Sequence, residues 1–205
     1  MVGGSVLPSW LKWVYLAFVA ILVPAYTWWH GLANFLWFSN VALLLGLLGV
    51  LLEDRRILST QVIATLVPET VWIFDFIGGV LLGGQPPLGA TAYMFDPEIP
   101  LFIQTLSLYH IVLPVLLLWL VWRLGYDQRA LWFWIPAGWT ILVATYFASP
   151  LEQNINWVFG PGGEPQDVMP GWAWLLVVLA CAALMWGATH VLMVKVLAWL
   201  RCGEI

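Results

Sequence analysis

The seven lysine and arginine residues of this chain, Lys12, Arg55, Arg56, Arg123, Arg129, Lys195 and Arg201, all fall on one side once its apolar runs are threaded through a bilayer. The connections on the other side carry no basic residue. Cytoplasmic connections of membrane proteins retain Lys and Arg while the opposite ones lack them, so the alternation reads as an orientation signal. It predicts an all-α polytopic membrane protein with six transmembrane helices in one bundle and both termini cytoplasmic.

A helix needs ~20 apolar residues to cross hydrocarbon. That length places spans at roughly 10–29, 33–52, 59–82, 99–123, 130–148 and 172–197. With 62% hydrophobic and 9% charged residues the chain lacks the polar surface of a soluble domain, so 1–205 is read as a single transmembrane domain. A net charge of −4 without basic stripes argues against nucleic acid and leaves membrane lipids as the expected partners. The first apolar run has no basic leader and no small-residue cleavage site, and is expected to be a retained span. Compact loops and the missing processing signal fit a bacterial inner membrane. Cys181 lies inside the last span and Cys202 beyond it, so a mutual disulfide is not expected; Cys202 beside Arg201 is a free thiol in this reading.

Most of the sixteen tryptophans, Trp134 among them, fall at predicted span ends, where an indole buries its ring and wets its N–H. Trp37, Trp72, Trp139 and Trp186 lie deeper and are expected to pack. Two connections on the non-basic side, 83–100 and 149–171, are long, acidic and rich in Gly and Pro, yet contain Tyr93, Phe95, Trp157 and Phe159. Such loops are commonly functional, and these are expected to cover that end of the bundle.

Ionisable groups inside a span cost ~2.5–3.5 kcal/mol on insertion scales, so each asks for a reason. Glu69 stands ten residues in from Ser59, ~15 Å deep, and His110 eleven residues in from Ile99 on the returning span, ~17 Å deep. Asp75, Ser39, Asn40 and Asn34 lie nearer the non-basic side. Singly, such groups serve as hydrogen-bonding glue between helices. Together, Glu69, His110, Asp75 and Asn40 are expected to converge in one polar pocket, with Asn34, Trp37, Trp72, Asn156 and Trp157 as ligand contacts. Glu69 and Asp75, six residues apart, do not share a helix face and are not expected to form a carboxylate pair. His190, near Lys195, reads as an interfacial histidine. No metal site is expected, because His-x-x-x-His, Glu-x-x-His and paired-cysteine spacings are absent, and no cofactor motif appears; Gly160-Pro161-Gly162-Gly163 is a simple turn sequence.

Two windows carry a family resemblance. Phe35-Leu36-Trp37-Phe38-Ser39-Asn40 resembles the Phe-Leu-Thr-Phe segment of the androgen-induced and androgen-dependent multipass hydrolases of fatty-acid esters of hydroxy fatty acids. His110-Ile111-Val112-Leu113-Pro114 resembles their His-Thr-x-Leu-Pro segment. The resemblance implies a six-span fold related to transmembrane acyltransferases, with acyl-ester hydrolysis in the membrane and His110 at the catalytic histidine position. Trp37 stands where that family has its threonine nucleophile. Ser39 is then the candidate nucleophile, or a water activated by His110 with Glu69 or Asp75 orienting the imidazole; Asn40 or a backbone N–H would stabilise the oxyanion. The competing readings are a small proton-coupled transporter using Glu69, Asp75 and His110, and a lipid- or ligand-binding or assembly protein without chemistry.

Overall fold

The computed structural model describes residues 6–162 and 164–202, the last three without their side chains. Gly163 and the side chains of Arg201 and Cys202 lie outside the described residues. The chain is helical, with no strand among the described residues. Its helices are α1 (Ser9–His30), α2 (Phe38–Leu52), α3 (Arg55–Leu81), α4 (Leu101–Ser107), α5 (Tyr109–Leu124), α6 (Ala130–Ala148) and α7 (Gly171–Cys202). Among the described residues five helical stretches are long and apolar enough to cross a membrane: α1, α3, α4 with α5, α6 and α7. This is an integral membrane protein. The apolar α2 has 15 residues, shorter than a usual span.

Two expected spans are interrupted. The run 33–52 is a 3-10 turn over Leu32–Leu36, then extended backbone at Trp37 (φ −59°, ψ 133°), and only then α2. The cause is a distant one: Asn156 accepts from the Phe38 N–H (3.1 Å) and donates to the Leu36 carbonyl (2.7 Å), satisfying the backbone groups on both sides of the break. The run 99–123 is divided at Leu108, where Leu108 N–H bonds the Thr105 carbonyl and Ile111 N–H the Leu108 carbonyl, a tightened 3-10 pattern.

α3 is the central element. Half of its apolar window is buried, against 22% for α7, and it packs on α2, α5, α6 and α7. Asp54 starts it by accepting from the Arg56 and Ile57 N–H groups, a side-chain N-cap. One apolar cluster joins α1, α2, α3 and α5 around Leu22, Leu58, Leu113 and Leu117. A second joins α2, α3, α6 and α7 around Phe38, Trp134 and Trp186, whose rings meet edge to face at 5.6–5.8 Å. Trp134, expected as an interfacial anchor, is 2% exposed and belongs to this core. Gly138 admits the Trp186 ring where a Cβ would collide with it. Trp10, Trp13, Trp28, Trp132, Trp172 and Trp199 are exposed at helix ends, as interfacial indoles are.

The basic end is tied by short polar contacts. Lys12 pairs with Glu53 at 2.6 Å, the Asp127 N–H donates to Ser59 Oγ, and the Tyr126 hydroxyl bonds His190 Nδ1 at 2.8 Å. Arg129 clamps both oxygens of Asp127 through Nε (3.1 Å) and Nη2 (3.0 Å) and holds its carboxyl down at about 2.

Candidate functional site

At the centre of the loop-side half of the bundle, Glu69 Oε2 lies 2.7 Å from His110 Nδ1. Helix α3 supplies the carboxylate one residue after Pro68, and α5 supplies the imidazole on its first turn. The Glu69 side chain is 2% exposed and that of His110 12%. An ionised carboxylate only accepts, so a neutral imidazole facing one carries its proton on Nδ1 and its lone pair on Nε2. Nε2 has no hydrogen-bond partner among the described residues. Glu69 Oε1 is buried and also without a partner.

The imidazole is gripped on both faces. Trp72, one turn along α3 from Glu69, stacks on it with centroids 4.6 Å apart and planes at 16°. Tyr109 stacks on the other face at 4.2 Å and 25°. The series continues from Trp72 to Phe76 (5.2 Å) and from Phe76 to Phe95 (5.7 Å), so five rings run from α5 to the 83–100 connection. Phe95 packs where Gly79 offers no Cβ.

A hydroxyl and amide network surrounds this stack. Tyr109 donates to Asn40 Oδ1 (2.9 Å), and Asn40 donates in turn to the Asn34 carbonyl (2.8 Å). Tyr26 and Ser107 share a hydrogen bond of 2.6 Å. Trp72 Nε1 donates to the Tyr93 hydroxyl (3.2 Å). Tyr26, Tyr93 and Tyr109 all lie within electrostatic reach of Glu69. Burial pushes the Tyr93 hydroxyl above the usual phenol range, so it stays a neutral donor and acceptor.

Of the residues expected to converge, Glu69, His110, Asn40 and Trp72 do so, and Asn34 joins through its backbone carbonyl. Asp75 does not. Its Oδ1 accepts from Leu88 N–H (2.6 Å) and its Oδ2 from both the N–H (2.8 Å) and hydroxyl (2.9 Å) of Thr91. A buried carboxylate facing three donors anchors the 83–100 connection and has no part in orienting the imidazole. Ser39 lies beside the Tyr109 hydroxyl and makes no hydrogen bond to His110. Trp37 sits at the break before α2, and the Asn156 amide is fully engaged by Leu36 and Phe38. Trp157 is in the left-handed region (φ 60°), 40% exposed, and its carbonyl accepts from Trp174 Nε1.

Comparison with protein-family models, curated proteins and solved structures gives no match for this chain. Its site therefore stands on its own geometry.

Sequence reading missed Tyr26, Ser107 and Tyr109, and gave Tyr93 a place in the covering loop without a contact at the imidazole. Two signals were available: Tyr109 adjoins His110, and Ser107 stands three residues before it, the spacing that shares a helix face. Among the described residues no cluster of His, Cys, Asp and Glu is suited to a metal ion.

Proposed function

We propose that this protein is a membrane-embedded hydrolase of lipid acyl esters, oriented with both termini cytoplasmic in a bacterial inner membrane and built from six spans. One observation carries the reading: a buried carboxylate holds the Nδ1 side of a stacked imidazole whose Nε2 is free. A histidine whose tautomer and plane are fixed this way is a general base in search of a proton.

In this reading a water beside Nε2 attacks the ester carbonyl while the imidazole takes its proton. Glu69 stabilises the imidazolium that forms. The imidazolium then gives the proton to the departing alkoxide, and a fatty acid and an alcohol leave. Water is favoured over Ser39 as nucleophile, because Ser39 keeps company with the Tyr109 hydroxyl and not with the imidazole. The weak likeness to the fatty-acid ester hydrolases agrees in its histidine and departs at Trp37, which cannot attack a carbonyl. A proton-coupled carrier has less support, since the expected relay loses Asp75 to the loop anchor.

The test is hydrolysis of a fluorogenic long-chain ester, 4-methylumbelliferyl oleate, by protein in nanodiscs. His110→Ala is expected to lower turnover by about 10²-fold or more, as loss of a general base does. A fluorophosphonate should leave the protein unlabelled if water is the nucleophile. Wild-type turnover no higher than that of empty nanodiscs would remove the proposal.

A further inference from the structure

The other oxygen of Glu69 asks for a donor that no described residue provides. Oε1 is buried without a partner, whereas Oε2 is held by His110. A carboxylate oxygen closed off from water without a hydrogen bond is costly, and a cationic donor is what relieves it best. Of the nearby hydroxyls, Tyr26 is engaged with Ser107 and Tyr109 with Asn40, while Tyr93 accepts from Trp72 Nε1 and makes no hydrogen bond to Glu69. No lysine or arginine occurs between residues 57 and 122, the stretch that supplies Glu69, Trp72, Tyr93 and His110.

The loops at this end of the bundle are acidic. The connections at this end contain Asp96, Glu98, Glu152, Glu164 and Asp167 and no Lys or Arg. Beside Tyr93 a depression of about 360 Å³ is lined by Met94, Asp96, Glu98 and Gln104. A divalent metal fits poorly, because the described residues offer no group of three ligating side chains.

We propose that Glu69 Oε1 receives an N–H from a primary ammonium group, the head of the lipid on which the dyad acts. The identity of that lipid as substrate rests on the hydrolase reading; the ammonium site does not. A quaternary ammonium has no N–H and would leave Oε1 unsatisfied, so the site distinguishes ethanolamine-type from choline-type heads. Since Oε1 is closed to solvent, binding moves a neighbouring side chain.

The experiment compares thermal unfolding of the protein in nanodiscs of phosphatidylglycerol alone, with added phosphatidylethanolamine, and with added phosphatidylcholine. Phosphatidylethanolamine is expected to raise the wild-type midpoint above the phosphatidylcholine value, and Glu69→Gln to abolish the difference. Free ethanolamine added to the phosphatidylglycerol nanodiscs identifies the source: an equal rise means that a soluble amine suffices, and no rise means that the amine must ride on a lipid. Equal midpoints in the two lipid mixtures, or a difference undiminished in Glu69→Gln, overturn the proposal. Should Glu69→Gln not fold, Glu69→Asp, which withdraws the carboxylate by one methylene, must shrink the difference. A head-group difference without ester turnover leaves the ammonium site and removes the hydrolase; turnover without a head-group difference does the reverse.

Discussion

The indole of Trp72 lies flat against the imidazole of His110, 4.6 Å between centroids, while its own N–H is held by the Tyr93 hydroxyl. The ring that stacks on the imidazole is thus itself held by a residue on the 83–100 connection. An aromatic pair of this kind contributes ~0.5–1.5 kcal/mol beyond the area it buries. Trp72→Ala is accordingly expected to reduce ester turnover by about tenfold, with KM little changed. Trp72→Phe, which keeps a ring but loses the bond to Tyr93, should fall between Ala and wild type. Steady-state kinetics on the three proteins check this ordering, and equal kcat values would refute it.

Asp75 anchors the same connection through three hydrogen bonds from Leu88 and Thr91. In Asp75→Asn one acceptor oxygen becomes an NH₂ group facing N–H donors. Hydrogen bonds to a charged group contribute ~1.5–3 kcal/mol each, so a loss of about 3 kcal/mol is expected. Limited proteolysis should show new cleavage between residues 83 and 100, with the remaining helices intact. A proteolytic pattern identical to wild type would mean that Asp75 does not anchor this segment.

Gly138 and Gly187 make a matched pair. A Cβ at Gly138 would collide with the Trp186 ring, whereas at Gly187 it meets nothing within 4 Å. Gly138→Ala is expected to destabilise by ~1–3 kcal/mol through overpacking. Gly187→Ala, in the interior of α7, is expected to be neutral or to stabilise by up to ~1 kcal/mol. Thermal unfolding in detergent distinguishes the two, and a tolerated Gly138→Ala would show that the Trp186 contact is loose.

The Asp127–Arg129 clamp makes a modest contribution to stability that depends on pH. The carboxyl is held at about 2 against an ordinary value of 3.8. With the folded-state value the lower of the two, the contribution is complete above about pH 4 and is lost as pH falls through about 2. Arg129 is 62% exposed, so salt screens the pair and the effect is small. Between about pH 5 and pH 2 the wild-type unfolding midpoint should fall further than that of Asp127→Asn, and parallel pH profiles would contradict this assignment.

The Glu69–His110 contact was legible because rise per residue alone set both groups ~15–17 Å deep on neighbouring spans. The role of Asp75 was not, since its partners come from a loop whose path no periodicity encodes. Nor could local sequence reveal the break at Trp37, which is held from Asn156 far along the chain. Trp134 is different. Ala130, Trp134, Gly138, Leu142 and Thr145 are all buried at intervals of three or four residues, a core face that could be read from α6 itself. Distance from the span end had masked it.

Because the Trp37 break takes five residues out of the second hydrophobic run, α2 is only ~22 Å long, well short of the ~30 Å hydrocarbon slab. The missing length is made up by the partly exposed Leu32–Leu36 turn. Lipid tails pack badly against such a surface, so the bilayer thins there or moisture fills the notch. Either way, the reactant that hydrolysis consumes would stand at the depth of the imidazole without having to dissolve in oil.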